Sequence, residues 1–139
     1  MKNFLIIICA LIFLFSSCNK DTTGAEINLA YQMVSDKIWY LDYNQTITST
    51  GTTTKTYIGQ STYFIKFLKN LTTVDSDGIS GSYSVVKVNS KLEIHVLAKT
   101  AGANSLEYIY NIETLGANNM ILYYVNSGNT IKFFYSTSH

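Results

Sequence analysis

Residues 37–43 have the sequence Lys-Ile-Trp-Tyr-Leu-Asp-Tyr and contain the only tryptophan of the 139-residue chain. Successive residues of an extended strand point to opposite sides of a sheet, so this pattern places Trp39, Leu41 and Tyr43 on one face. An apolar face of this kind is typical of a strand that lies against a hydrophobic core. The segment therefore predicts a half-buried strand, and aromatic and β-branched segments follow it to the C-terminus.

The composition favours a sheet protein and excludes one class of partner. The chain has 11 tyrosines and 7 phenylalanines but no proline, which suits pleated, half-buried surfaces. The net charge is +1, arginine is absent and the lysines are scattered, so the basic patch that nucleic acid requires is missing. We therefore predict an all-β protein that does not bind nucleic acid.

The N-terminus has the pattern of an export signal. A positive charge at Lys2 precedes an apolar run over 4–15, about a dozen residues, which is too short to span a bilayer. The run ends in Leu-Phe-Ser-Ser-Cys at 14–18, and small residues before a cysteine at this point resemble the lipobox of bacterial lipoproteins. An ordinary secretory signal and a short transmembrane anchor are the alternatives.

The resemblance to lipoproteins implies a lipid anchor on Cys18. In that family the cysteine thiol receives a diacylglycerol, the signal is removed just before it, and the new amino group is acylated. This division predicts a signal peptide at 1–17, a polar tether at 18–24 and a folded domain at 25–139. Cys9 lies in the removed part, so the folded domain has no internal disulfide.

The residues around Cys18 also predict where the protein resides. Asn19 follows the cysteine, where an aspartate would resemble an inner-membrane retention signal. The Phe-Ser-Ser-Cys sequence with a following Lys-Asp resembles lipoproteins of the Bacteroidetes type. The resemblance implies a lipid-anchored protein of the cell envelope that is sent to the outer membrane. Its partner there is the membrane itself, to which the lipid on Cys18 attaches it.

A short helix is predicted before the first strand. Thr23 and Glu26 have the spacing of a capping box, in which the two side chains bond to free backbone donors at a helix start. Ile27, Tyr31 and Val34 then recur at helical spacing. We predict a helix over about 24–36 that covers one end of the sheet.

The remainder predicts short strands joined by tight turns. An Asp-Gly turn at 77–78 is a strong hairpin signal, since both residues tolerate positive φ. The predicted strands, eight or nine with small boundary shifts, are 37–48, 54–60, 61–69, 81–88, 91–99, 105–113, 119–126 and 130–136. Strand 91–99 has the clearest alternation, and its inward residues are Leu92, Ile94, Val96 and Ala98. So many sequential strands favour an antiparallel up-and-down meander closed into a small β-barrel, which removes exposed edges. An open sandwich of two sheets has a similar pattern.

A family resemblance supports the barrel. The Ile-Trp-Tyr-Leu strand at 38–41, the Tyr-Phe-Ile-Lys-Phe segment at 63–67 and the Gly-Ser-Tyr-Ser-Val strand at 81–85 together resemble the lipocalin-like domains of bacterial lipoproteins. The resemblance covers most of 30–136. It implies an eight-stranded barrel with the tryptophan near its closed end and, in some members, an apolar cavity.

Aromatic residues are the candidate ligand-binding residues. Alternation places many tyrosines on the inward faces of the strands, and their hydroxyls need partners when buried, which favours a wettable pocket. The alternative is that they lie at the barrel mouth with their hydroxyls in water. The candidates are Tyr43, Tyr63, Phe67, Tyr83, Tyr108, Tyr110, Tyr124, Phe133 and Tyr135.

Catalytic and metal-binding motifs are not recognisable in the sequence. There is no nucleophile elbow, phosphate-binding glycine loop or cysteine-histidine cluster. His95 shares its predicted outward face with Glu93, a pair that usually lies in solvent, and Asp75 and Asp77 fit a turn better than a calcium loop. We predict a protein that is not an enzyme and needs no cofactor or metal.

Two functions follow from this pattern. The first is binding of a small hydrophobic or amphipathic ligand inside the barrel. The second is an interaction or assembly module with a filled core, which meets another envelope protein through an exterior apolar stripe that includes Ile121, Tyr123 and Val125. This stripe marks either the docking site of the N-terminal helix or a partner surface, and we expect the helix to cover it.

Overall fold

The structure is a computed structural model that describes residues 22–99 and 105–138. The predicted signal peptide, the predicted lipid-bearing Cys18 and the first part of the predicted tether lie outside the described residues, as does the predicted loop at 101–104. In the part of the chain that is described, no helix is long and apolar enough to cross a membrane.

Within the described ranges, one helix precedes nine strands. The helix begins at Thr22, inside the predicted tether, so Thr23 is not a cap, and Glu26 instead forms an ion pair with Lys87. The elements are α1 Thr22–Val34, β1 Lys37–Thr48, β2 Gly51–Thr56, β3 Phe64–Phe67, β4 Thr72–Asp75, β5 Ser80–Val88, β6 Lys91–Lys99, β7 Ser105–Leu115, β8 Asn119–Asn126 and β9 Asn129–Ser136.

The strands form a closed antiparallel barrel. Strands β3 to β9 pair in sequence order, and β1 pairs with both β3 and β9, which closes a barrel of eight strands. Strand β2 forms a hairpin with the second half of β1 and lies on the same side of β1 as β3. The predicted fold class, an all-β up-and-down barrel with a short N-terminal helix, is confirmed.

The region 51–75 differs in detail from the predicted strands. Where two strands were expected at 54–60 and 61–69, the loop 57–63 separates β2 from β3, and Gly59 in it has a φ of 79°. This loop is tied to β1 by backbone hydrogen bonds, from Leu41 N to Tyr63 O and from Tyr57 N to Asp42 O. Strand β4 was not predicted, because four residues are too few to show a period.

Helix α1 covers one end of the barrel, which we call the closed end. Ala30 and Val34 are buried there against Trp39 and Phe67, and the Trp39 indole nitrogen donates a hydrogen bond of 3.0 Å to the Val34 carbonyl. Ile27 and Tyr31 also pack on this core, so the predicted apolar stripe of the helix is confirmed. The expectation that the helix covers the outside of β8 is wrong, since α1 contacts β5 and β7 and packs on the interior core.

The opposite end of the barrel, the open end, carries the β1–β2 and β8–β9 turns. There β7 and β8 separate, because β7 pairs with β8 only over 111–115 whereas its first residues, Ser105 to Tyr110, pair with β6 alone. Tyr124 to Asn126 of β8 likewise pair only with β9. We call this gap between the two strands the β7–β8 seam.

Candidate ligand-binding site

A cavity of about 210 Å³ lies inside the barrel at the open end. Its walls come from β3 to β7, whose inward residues are fixed by register. Ile65 pairs with Asp75, and Thr73 pairs with Phe67 and Gly81, so these side chains share the inner face. The lining residues are Ile65, Thr73, Asp75, Ile79, Ser80, Val96, Ala98, Tyr108 and Tyr110.

The open end is hollow because the inward side chains that β4, β5 and β6 contribute to it are small. Thr73, Gly81 and Ala98 face one another across β4, β5 and β6. A Cβ on Gly81 would lie 2.3 Å from the Leu97 carbonyl oxygen, so the backbones are too close there for any side chain. At the closed end, in contrast, large residues such as Phe67 and Ile94 are fully buried. One barrel therefore has a packed half and a hollow half.

Five aromatic rings, Tyr108, Tyr110, Tyr124, Phe133 and Tyr135, form what we call the aromatic cluster. Tyr110 is central to it, with its ring centre 6.2 Å from that of Tyr108 and 6.0 Å from those of Tyr124 and Phe133. Phe133 in turn stacks on Tyr124 at 5.9 Å and on Tyr135 at 6.3 Å. Contacts of this geometry favour a fixed arrangement of the rings over free rotation.

A second cavity of about 410 Å³ lies in the β7–β8 seam. Tyr108 and Tyr110 line both cavities, so the two adjoin at these rings. The other residues of the seam cavity are Glu107, Ile109, Tyr124, Val125 and Asn126. The space beside the aromatic cluster is therefore reached both from the barrel mouth and from the side.

Burial raises the pKa of two tyrosine hydroxyls of the cluster, those of Tyr110 and Tyr135. Burial, followed by the neighbouring Tyr124, Tyr108 and Asp75 groups, raises the pKa of Tyr110 to about 12. Burial, followed by Tyr110 and Asp75, raises the pKa of Tyr135 further. Near neutral pH these hydroxyls therefore act as hydrogen-bond donors and acceptors without charge.

Two polar groups of the interior cavity lie beside the apolar walls. Thr73 Oγ1 is the one buried side-chain polar atom, among the described residues, without a hydrogen-bond partner. Asp75 Oδ1 accepts hydrogen bonds from the backbone nitrogens of Asp77, at 3.0 Å, and Ile79, at 2.9 Å. The prediction that Asp75 and Asp77 form a turn is thus confirmed, and Asp75 in addition faces the cavity.

Two predicted ligand-binding residues face inward but lie at the closed end, away from the cavity. Phe67 is fully buried, and its ring meets that of Tyr83 edge-on at 4.9 Å. The Tyr83 hydroxyl lies 3.0 Å from Ser35 Oγ and donates a hydrogen bond of 3.1 Å to the Leu68 carbonyl. Both side chains therefore belong to the packed core and not to the walls of the cavity.

Tyr43 and Tyr63 lie elsewhere than expected. The register of β1 with β9 shifts between Leu41 and Tyr43, and this β-bulge turns Tyr43 to the outer face, where its ring stacks on Phe134 at 4.1 Å. The predicted inward direction of Tyr43 is therefore wrong. Tyr63 lies in the loop before β3, is 38% exposed and contacts Tyr57 at 4.6 Å. The other five predicted residues are the aromatic cluster.

The small and polar residues of the cavity were not predicted as site residues. Ala98 and Val96 were placed on the inward face of β6, but their position beside an empty space depends on Gly81 and Thr73 across the sheet. Asp75 was interpreted only as a turn residue. The spacing of Thr73 and Asp75, two residues apart, was the available sign that both side chains lie on one face of β4. Because the strand has only four residues, its alternation could not be recognised.

The polar pair on the outside of β6 forms a small network. His95 Nε2 lies 2.8 Å from Glu93 Oε2, and His95 Nδ1 lies 3.5 Å from Glu107 Oε1. Among the described residues, no group of three or more histidine, cysteine or carboxylate side chains is arranged to hold a metal ion. The network lies on the sheet exterior, away from the interior cavity.

Comparison with known proteins adds no family to this description. The chain matches no protein-family model, and no curated protein is significantly similar to it.

Proposed function

We propose that this protein is a lipid-anchored envelope protein that binds a small hydrophobic or amphipathic ligand in the open end of its barrel. The observation that carries the proposal is the hollow open end, whose walls combine apolar side chains with neutral tyrosine hydroxyls. An apolar cavity of about 150 Å³ is large enough for a benzene ring. The interior cavity, at about 210 Å³, therefore suits one ring or a short chain.

Binding would use the pre-formed walls of the cavity. An apolar group would displace water from Ile65, Val96 and Ala98 and pack on the Tyr110 ring. A larger ligand would extend past Tyr110 into the β7–β8 seam, where the second cavity begins. The tyrosine hydroxyls would then orient the polar part of the ligand, because each can donate and accept a hydrogen bond.

The anchor would hold the open end away from the membrane. Helix α1 begins at Thr22, four residues after Cys18, and four extended residues span at most about 14 Å. Because α1 covers the closed end, a lipid on Cys18 would hold that end beside the bilayer. The cavity would then exchange its ligand with the aqueous compartment and not directly with the anchoring membrane.

Native mass spectrometry tests the proposal on the full chain purified from bacterial envelopes. We expect a reproducible bound species, identified after organic extraction, that is lost in Ala98→Leu because the larger side chain fills the cavity. Leu97→Met, on the outer face of the same strand, is the matched control and should keep the species. A protein that carries nothing and takes up no apolar dye would refute ligand binding.

A second candidate function is supported by the apolar outer face of β8 and β9, which helix α1 does not cover. Tyr43 and Phe134 stack there, Ile121 pairs with Phe134, and Val125 is 62% exposed. Because α1 lies at the closed end, this apolar face would be free to contact another envelope protein. A photo-crosslinking amino acid in place of Tyr123 should then capture one defined protein in cells. The same amino acid in place of the exposed Lys91 is the control and should not capture that protein. Equal capture at both positions would refute this function.

A further inference from the structure

The charges at the two cavities have one sign. Among the described residues that line the interior cavity, Asp75 is the one charged side chain, and Glu107 is the one at the seam. No lysine of the described part of the chain lines either cavity. A carboxylate in a cavity that the rings of Tyr108 and Tyr110 also line favours a positively charged ligand, since ring faces and carboxylates both attract cations.

The position of Asp75 leaves part of its carboxylate available. Its pairing with Ile65 on β3 turns the side chain towards the interior. Oδ1 is occupied by the backbone nitrogens of Asp77 and Ile79, which hold the turn, whereas Oδ2 has no hydrogen-bond partner among the described residues. The carboxylate is thus fixed in place by one oxygen and presents the other to the cavity.

A second observation also indicates a ligand. Thr73 is only 4% exposed and lines the same cavity, yet its hydroxyl has no hydrogen-bond partner among the described residues. Leaving a buried hydroxyl unpaired costs free energy, so such groups usually have a partner. Thr73 and Asp75 are two residues apart on β4, so their side chains lie on the same face of the strand. A polar head group held by Asp75 would pair with the buried Thr73 hydroxyl after rotation of the Thr73 side chain towards the cavity.

We propose that the ligand is an organic cation, a protonated amine carried on an aromatic ring or a short apolar chain. This inference rests on the proposed ligand-binding function and names the chemical class of the ligand. The ammonium group donates a hydrogen bond to Asp75 Oδ2 and, after rotation of the Thr73 side chain towards the cavity, a second one to Thr73 Oγ1. The apolar part packs on Val96, Ala98 and the Tyr110 ring.

Three small probes of one shape test the charge preference. They are 2-phenylethylammonium, the neutral 2-phenylethanol and the anionic phenylacetate, titrated into the full chain in lipid nanodiscs and followed by saturation-transfer NMR, with empty nanodiscs as the blank. We expect the cation to bind roughly tenfold or more tightly than the alcohol, since a hydrogen bond to a charged group is stronger than one to a neutral group. The anion should bind most weakly.

Two matched variants assign the preference to one carboxylate. Asp75→Asn keeps an oxygen for the two turn hydrogen bonds but removes the charge, so it should abolish the preference for the cation while the alcohol still binds. Asp77→Asn removes an exposed charge outside the cavity and should leave the preference intact.

The outcomes separate the two levels of the proposal. Equal binding of cation and alcohol, or a preference that survives Asp75→Asn, would overturn the cation assignment and leave ligand binding standing. Failure of all three probes to bind would overturn both.

Discussion

Replacing alanine by leucine at two buried positions distinguishes a hollow open end from a packed closed end. Ala98 lines the interior cavity and Ala30 lies in the core under α1, and the two are 4% and 2% exposed. Each replacement adds the same isopropyl group to a buried site. The two sites therefore differ chiefly in whether empty space is present.

The expected changes in the free energy of unfolding have opposite signs. At Ala30 the added group must displace close-packed neighbours, which costs about 1–3 kcal/mol. At Ala98 the group enters the cavity, where its burial stabilises the folded protein by about 0.8 kcal/mol per methylene. Ordering the longer side chain offsets roughly 0.5–1 kcal/mol of this stabilisation. Because the isopropyl group has three carbons, we expect Ala98→Leu to range from neutral to stabilising by up to about 2 kcal/mol.

Urea unfolding followed by the fluorescence of Trp39 measures both changes. Trp39 is the only tryptophan and is fully buried, so its emission reports loss of the core. Equal denaturant slopes for the variants and the parent protein would show that the same unfolding reaction is compared. A loss of about 2 kcal/mol or more in Ala98→Leu would refute the hollow open end, because a cavity accommodates the added group without strain.

Three further predictions concern single groups. Tyr83→Phe removes both hydrogen bonds of that hydroxyl and should lower the free energy of urea unfolding by about 1–2 kcal/mol. Tyr108→Phe, at a side chain that is 42% exposed, should change it by less than about 0.5 kcal/mol. Equal losses in the two variants would contradict this prediction. Gly81→Ala should lower stability by about 1–3 kcal/mol in thermal melts, because its Cβ would lie 2.3 Å from a carbonyl oxygen, and Gly24→Ala, which meets nothing within 4 Å, should not. The pKa of Tyr110 is raised to about 12 in the folded protein, so the unfolded chain loses this proton first, and the stability that the neutral hydroxyl contributes is complete below about pH 10 and falls as the pH rises to about 12. Between about pH 9 and pH 11, the free energy of urea unfolding should therefore fall less in Tyr110→Phe than in the parent protein. An equal fall in both proteins would contradict the assignment.

Strand positions could be predicted from the sequence because most strands alternate clearly. On β6, Ile94, Val96 and Ala98 were predicted to face inward, and all three are buried. Tight turns then limited the ways in which the strands could pair. Since sequential antiparallel pairing leaves few topologies, the closed barrel followed from the same pattern.

The errors come from features that alternation does not encode. A β-bulge between Leu41 and Tyr43 reverses which residues of β1 face the interior beyond that point. The bulge arises in the pairing of β1 with β9, so the sequence of β1 alone does not reveal it. The cavity likewise depends on how Gly81 meets Ala98 across two strands. The division of the inward tyrosines between core and cavity is a tertiary property, since Tyr83 and Tyr110 have similar local sequence patterns.

The most direct test of the central claim is NMR mapping of 2-phenylethanol binding to residues 22–139. We expect saturable shift changes that cluster at Val96, Ala98 and Tyr110, with none at Ile94 or Met120 in the packed end. Shift changes that do not saturate, or that centre on the closed end, would contradict it.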